Sequence, residues 1–363
     1  MAELQLPVLR HKPEFGKKTD FGIGIVGAGG IVDAAHLPAY KKAGFHVVGI
    51  YDPDVDRAEK LASKFSIRKV YSDPKELLDD RSVEIVDIAV PPVFQEEIAL
   101  QALQAGKDLL CQKPLHHTFS TAARIVQAAE RAGRKLAVNE NMRWDPAMRA
   151  SRQLIEEGWI GQPTLATFDI NYREDWTVWP WLGSSERLAI MFDAIHPLYA
   201  LRMLFGEPTG IFSTIARAPG QKERGETRAL ITLEFAKQMS GMLLDASTNP
   251  TKDFVATFRF DGTEGSIKGS LGIYYDYPLG RADELSVCTK RLGGDKWHTV
   301  SLEGRWIPDA FSGPMAALMR SIESGTEAEN SGKEHLKTLQ VVEAAYRSAK
   351  ERRMISPLEI KAE

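Results

Sequence analysis

The sequence predicts a two-part α/β chain: a doubly wound parallel sheet first, then an α/β part built on a large, mostly antiparallel sheet. Three observations carry this. Short apolar strands alternate with helical segments up to about residue 144. A glycine-rich turn, Gly27-Ala28-Gly29-Gly30, joins the first strand to the first helix. Beyond residue 145, strand-like stretches follow one another with few helices between them.

Residues 1–20 form a polar extension without the apolar core of a signal peptide. "FGIGIVGAGG" (21–30) is a strand running into glycines, and "HVVGIYDPD" (46–54) is a second strand ending in acids. "DRAEKLASKF" (56–65) has helical spacing. "VEIVDIAVPP" (83–92) is a buried strand stopped by two prolines, and "VFQEEIALQALQAG" (93–106) is a helix with a glycine stop. Strand "KDLLCQKP" (107–114), helix "TFSTAARIVQAAERAG" (118–133) and the strand-and-loop "KLAVNENMRW" (135–144) complete the first domain, assigned to 21–144. The second domain, 145–363, holds "TLATFDINYRE", "RALITLEFAKQMSGMLLDAST", "DFVATFRFDGTEGSIKGS" and "ELSVCTKRL" as strands. It closes with an amphipathic helix at 332–353, which is expected to pack back on the first domain.

Composition bounds the chemistry. The 363 residues carry a net charge of −3, which gives no electrostatic case for nucleic acid or an anionic membrane. Two cysteines, Cys111 and Cys288, make neither a disulfide framework nor a zinc motif. A cytoplasmic, metal-free protein is the expectation.

The glycine turn is the dinucleotide signature of a Rossmann domain, with Gly27, Gly29, Gly30 and Ile31 against a pyrophosphate. Val32 stands at the third fingerprint position, where Gly or Ala is usual. Asp52 ends the second strand at the spacing of a carboxylate that grips a ribose 2′-hydroxyl. Asp54 and Asp56 follow it and would repel a 2′-phosphate, so NAD is expected over NADP. The alternative is an unrelated glycine turn, with Asp52 capping the next helix.

Taken with that turn, Gln112-Lys113-Pro114 resembles the Glu-Lys-Pro marker of the Gfo/Idh/MocA family of sugar and polyol dehydrogenases. The resemblance covers residues 21 to 353 and includes "GIVGAGGIVDAAHLPAY", "VNENMRWDP", "FDAIHPLYALRMLFGEP" (192–208) and "LKTLQVVEAAYRSA". It implies a catalytic lysine and histidine, Lys113 and His196, that meet beside the nicotinamide, with an aspartate on the histidine's helix. It also implies Pro91, Gln112 and Lys113 near the cofactor, and an open second sheet that makes a homodimer or homotetramer. An alcohol losing hydride must also lose its hydroxyl proton, work suited to a histidine titrating near neutrality. An ammonium fixed beside the same oxygen stabilises its developing charge.

Asp193 lies three residues before His196, where the family spacing is four and this chain has Phe192. Asp193 reads either as a catalytic partner or as a cap or ion-pair residue. Gln112 replaces the family glutamate, Gln95 a common histidine, and Tyr199 a frequent aspartate. Gln112 reads as tuning Lys113 by removing a charge, or as holding the loop with its amide. His36 reads as structural, and His116 and His117 as solvated loop residues.

"NYREDWTVWPWLGSSER" (171–187) concentrates Trp176, Trp179 and Trp181. Their indoles fit either stacking on sugar faces or packing in a core or against another subunit. Tyr172, Arg173 and Arg143 are candidate hydrogen-bonding partners for hydroxyls or a carboxylate. The expected function is NAD-dependent hydride transfer at a monosaccharide, polyol or sugar acid. The rivals are a non-catalytic cofactor-binding regulator and a redox-assisted glycosidase with bound NAD.

Overall fold

The computed structural model describes residues 5–174, 176, 179–236, 238–245, 251 and 253–362. The chain divides into two compact units. The first comprises Pro13–Asn141 and Ile307–Lys337, and the second Met142–Trp306 and Thr338–Ile360 with the opening stretch up to Lys12.

The first unit is built on six parallel strands: β1 (Ile23–Val26), β2 (Val47–Tyr51), β3 (Lys69–Val70), β4 (Ile85–Ile88), β5 (Asp108–Cys111) and β6 (Leu136–Val138). Their order is β3-β2-β1-β4-β5-β6, the doubly wound arrangement whose strand direction of winding reverses between β1 and β4. Ile23, Ile25, Ile85, Val86, Leu109 and Leu110 are wholly buried, as expected for strands covered by helices on both faces. The segment at Asn330–Ser331 closes the β6 edge. Val138 N donates to Asn330 O at 2.8 Å, and Asn330 Nδ2 donates to Val138 O at 2.8 Å. The lysine strand is shorter than its sequence suggests: it ends at Cys111, and just past it the Gln112 side chain accepts from Lys113 N.

Among the described residues the second unit has eight strands: β7 (Pro163–Asn171), β8 (Gly210–Ala216), β9 (Arg228–Phe235), β10 (Gln238–Asp245), β11 (Val255–Gly262), β12 (Gly265–Ser270), β13 (Glu284–Thr289) and β14 (His298–Thr299). The order is β14-β13-β12-β11-β7-β10-β9-β8, antiparallel throughout except for the β7–β10 pair. Burial alternates along β9 and β11, so the sheet has one packed and one open face. Leu165, Phe212 and Leu230 lie on the open face, exposed by 42%, 36% and 53%. No described helix is long and apolar enough to cross a membrane.

Candidate active site

In the first unit the strand ends of the sheet form one hydrogen-bonded row. Gly27 N donates to Tyr51 O (2.7 Å), Ala89 N to Val26 O (2.8 Å), Gln112 N to Ile88 O (2.9 Å) and Asn139 N to Cys111 O (2.8 Å). The glycine turn after β1, Pro91 at the head of the helix after β4, and Lys113 after β5 therefore share one carboxyl edge.

The three glycines serve different needs. Gly27 has φ +111°, and a Cβ there would lie 2.4 Å from Ala89 O. A Cβ on Gly29 or Gly30 would meet nothing within 4 Å, so the space above them is left open by the protein. That open cradle at a helix start fits a dinucleotide pyrophosphate. Ile31 follows as the first residues of the helix, and Val32 is buried beneath them. Asp52 is tied into the same turn: Oδ2 accepts from Ala28 N at 2.7 Å and Oδ1 from Asp54 N at 2.9 Å. Capping of the next helix falls to Asp54, which accepts from Arg57 N.

The lysine loop is held at each residue. Lys113 N donates to Gln112 Oε1 at 3.0 Å, Pro114 O accepts from Gln95 Nε2 at 2.9 Å, and Leu115 N donates to His335 Nε2 at 3.1 Å. Gln112 thus uses its amide to hold the loop, a bond a glutamate could also make while adding a charge. His36 is wholly buried, Nδ1 against Asp87 Oδ2 at 2.7 Å and Nε2 against Asn139 Nδ2 at 3.1 Å. His116 corrects the sequence reading. It is buried, Nδ1 accepts from Thr118 N, and desolvation, reinforced by His117, pushes its pKa down to about 4. His117 is partly exposed and stacks on it, 4.2 Å between ring centroids.

In the second unit, Asp193 lies in a π-helical turn, Ile190–Ala194, that runs into the helix Ile195–Phe205 carrying His196. π turns recur at functional sites. Tyr172 donates to Asp193 Oδ2 and Tyr274 to Oδ1, each at 2.7 Å. Burial first, and the Asp193 charge second, raise both phenols well above their usual pKa. His196 sits edge-on to Trp306, with ring centroids 5.1 Å apart, and Trp306 lies 6.3 Å from Tyr274. The start of the turn is capped by buried Glu226, which accepts from Leu188 N and Ile190 N and from Tyr346 Oη at 2.6 Å.

Arg143 donates to Tyr199 Oη at 2.8 Å, so the tyrosine standing for the family aspartate anchors an arginine. The tryptophans separate. Trp176 is buried, and its Nε1 has no acceptor among the described residues. Trp179 packs on Tyr277 at 5.6 Å, and Trp181 is 40% exposed beside Phe192. Sequence reasoning missed Tyr274, Trp306, Glu226 and Tyr346, which reach the histidine helix from remote segments.

Comparison with known proteins matches residues 21–140 to the oxidoreductase family with an NAD-binding Rossmann fold, and residues 148–268 to the GFO/IDH/MocA C-terminal domain. A D-apiose dehydrogenase of Paraburkholderia graminis is 30% identical over 341 residues, covering 92% of this chain and 89% of that protein. The chain belongs to the Gfo/Idh/MocA oxidoreductase family. Another member, inositol 2-dehydrogenase 4 of Saccharopolyspora erythraea, is 29% identical over 290 residues, 78% of this chain and 77% of that one. Among solved structures, an Agrobacterium radiobacter oxidoreductase in complex with NAD+, L-tartaric acid and magnesium superposes with a TM-score of 0.82. It is 26% identical, with 94% of this chain and 99% of that chain covered. Residues 21–140 match the family's NAD-binding Rossmann fold, so the chain is an NAD-binding oxidoreductase.

Proposed function

We propose that this chain oxidises a hydroxyl-bearing carbon of a monosaccharide, polyol or sugar acid, or reduces the matching carbonyl. The observation that carries the reading is the shared carboxyl edge, where the empty-sided Gly29–Gly30 turn and the Lys113 loop lie on one sheet. The names of the relatives, D-apiose dehydrogenase and inositol 2-dehydrogenase, support the substrate class.

In this reading Gly27, Gly29, Gly30 and Ile31 receive the cofactor pyrophosphate, Asp52 the adenosine ribose, and Pro91 and Gln112 border the dinucleotide. NAD, when bound, supplies the hydride acceptor. His196 takes the hydroxyl proton as general base and returns it in the reductive direction. Lys113 supplies positive charge that stabilises a reacting oxygen as its electron density rises. Asp193, with each oxygen already accepting a phenol, positions the histidine helix and moves no proton of its own. Tyr172 acts through Asp193. Arg143, oriented by Tyr199, receives a hydroxyl or carboxylate, and Trp176 offers its indole N–H to the same ligand. Trp179 and Trp181 supply apolar faces. Asp52 and Asp54 favour NAD over NADP by repelling a 2′-phosphate. The open sheet face with Leu165, Phe212 and Leu230 is assigned to a second copy of the chain.

The test is NADH formation by purified protein with D-apiose, myo-inositol, levoglucosan and an aldonate. Oxidation of at least one, lost in Lys113→Ala, supports the reading. Binding of NAD with no turnover of any compound would favour a regulator, and release of free sugar from a glycoside without net NADH a redox-assisted glycosidase.

A further inference from the structure

Two wholly buried titratable residues of the first unit take no part in that chemistry, yet one holds the lysine loop and the other holds the first. His335, in the helix Gly332–Glu351, accepts from Leu115 N at Nε2 (3.1 Å) and faces Glu140 Oε1 with Nδ1 (2.5 Å). A backbone N–H can only donate, so Nε2 must be the unprotonated nitrogen. The ring proton therefore sits on Nδ1 and is donated to Glu140. This tautomer is fixed by the contacts alone.

From this geometry we infer that Glu140 and His335 are positioning residues for Lys113. The chain of contacts is short. Glu140 selects the tautomer of His335, His335 holds Leu115, and Leu115 is two residues from Lys113. On the other flank Gln95 holds Pro114 O, so the backbone after the lysine is clamped from two elements. With the wrong tautomer, N–H would face N–H and the Leu115 anchor would break.

The arrangement is costly unless it does something beyond stability. Both side chains are wholly buried, and Glu140 Oε2 has no hydrogen-bond partner among the described residues. A polar pair left partly unsatisfied in a core is less stable than a well-packed apolar pair of the same volume. What the pair provides and an apolar pair could not is a directed acceptor for Leu115 N. A misplacement of about 1 Å at a reacting group costs on the order of 100-fold in rate.

The importance of this positioning to turnover rests on the proposed role of Lys113, so the experiment reads position separately from activity. Lysines are reductively methylated with 13C, and the Lys113 resonance is assigned by its absence in Lys113→Arg. Spectra, melting temperatures and steady-state kinetics with the best sugar of the panel are compared for wild type, His335→Phe, His335→Gln and Glu140→Gln. His335→Gln keeps an oxygen acceptor for Leu115 N, and Glu140→Gln keeps an acceptor for Nδ1–H. In His335→Phe the Lys113 resonance shifts or broadens, and kcat falls about 10- to 100-fold. KM stays within about threefold, as expected for a group acting only in the transition state. Both glutamine variants stay near wild type.

An unmoved Lys113 resonance in folded His335→Phe overturns the inference. So does His335→Gln shifting the resonance, and this arm decides the matter even if the phenylalanine variant does not fold. If no sugar is oxidised by wild type, the functional reading fails while the resonance still reports on the clamp.

Discussion

Replacing Tyr274 by phenylalanine isolates the hydroxyl that the tyrosine gives to Asp193. The ring and its edge contact with Tyr172, 4.8 Å between centroids, remain, and only the 2.7 Å bond to Oδ1 is lost. Tyr172, Tyr274 and Asp193 are 6%, 7% and 8% exposed, so water does little to replace the missing donor. A hydrogen bond to a charged group contributes about 1.5–3 kcal/mol. For a unit of this size, each kcal/mol moves the melting temperature by about 2–4 °C, so a fall of roughly 3–12 °C is expected. The assay is thermal and urea unfolding of wild type, Tyr274→Phe, Asp193→Asn and the double variant. The cycle separates the pairwise coupling from the cost of each truncation, and we expect at least about 1 kcal/mol of coupling. A single-variant loss below about 0.5 kcal/mol, the size of an ordinary surface change, would refute the role of the Tyr274–Asp193 hydrogen bond. So would additive variants.

Four further outcomes follow from the structure. Gly30→Ala leaves the melting temperature unchanged but weakens NAD binding by at least about tenfold, roughly 1.4 kcal/mol, in a fluorescence titration. Gly27→Ala instead destabilises the first unit, because its Cβ collides with Ala89 O. Alkaline pH unfolds the protein. Tyr40, Tyr172, Tyr274 and Tyr346 are buried with raised pKa values, so above pH 10 the unfolded chain loses phenolic protons that the folded chain keeps. Stability is intact below that pH and falls as pH rises, by about 1.4 kcal/mol per unit for each phenol. Asp52→Ser narrows the preference for NAD over NADP by more than about tenfold in kcat/KM, since a like charge beside the 2′-phosphate costs several kcal/mol. An unchanged ratio would show that Asp52 does not face that ribose position.

Much of the fold was legible because its signals are local. Each parallel strand is a short apolar run with a turn signal at its end, and the glycine turn, Asp52 and Lys113 sit at characteristic places relative to those runs. What the sequence could not show is what holds those groups. Glu226 lies 30 residues beyond His196. No local pattern marks it as the cap of that helix start. Tyr274, Trp306 and His335 likewise act through contacts between distant segments. His116 was misread because a histidine beside another histidine in a loop gives no sign of burial. Gln112 is the opposite case. The sequence posed its two readings, and the bond to Lys113 N shows how the amide is used.

The most direct test of the account is turnover by Lys113→Met and His196→Asn beside wild type, with NAD affinity measured on the same samples. Each variant should lose at least about 100-fold in kcat, the usual contribution of a proton-transfer or charge-stabilising group, while binding NAD within about threefold of wild type. Wild-type kcat in either variant would contradict it.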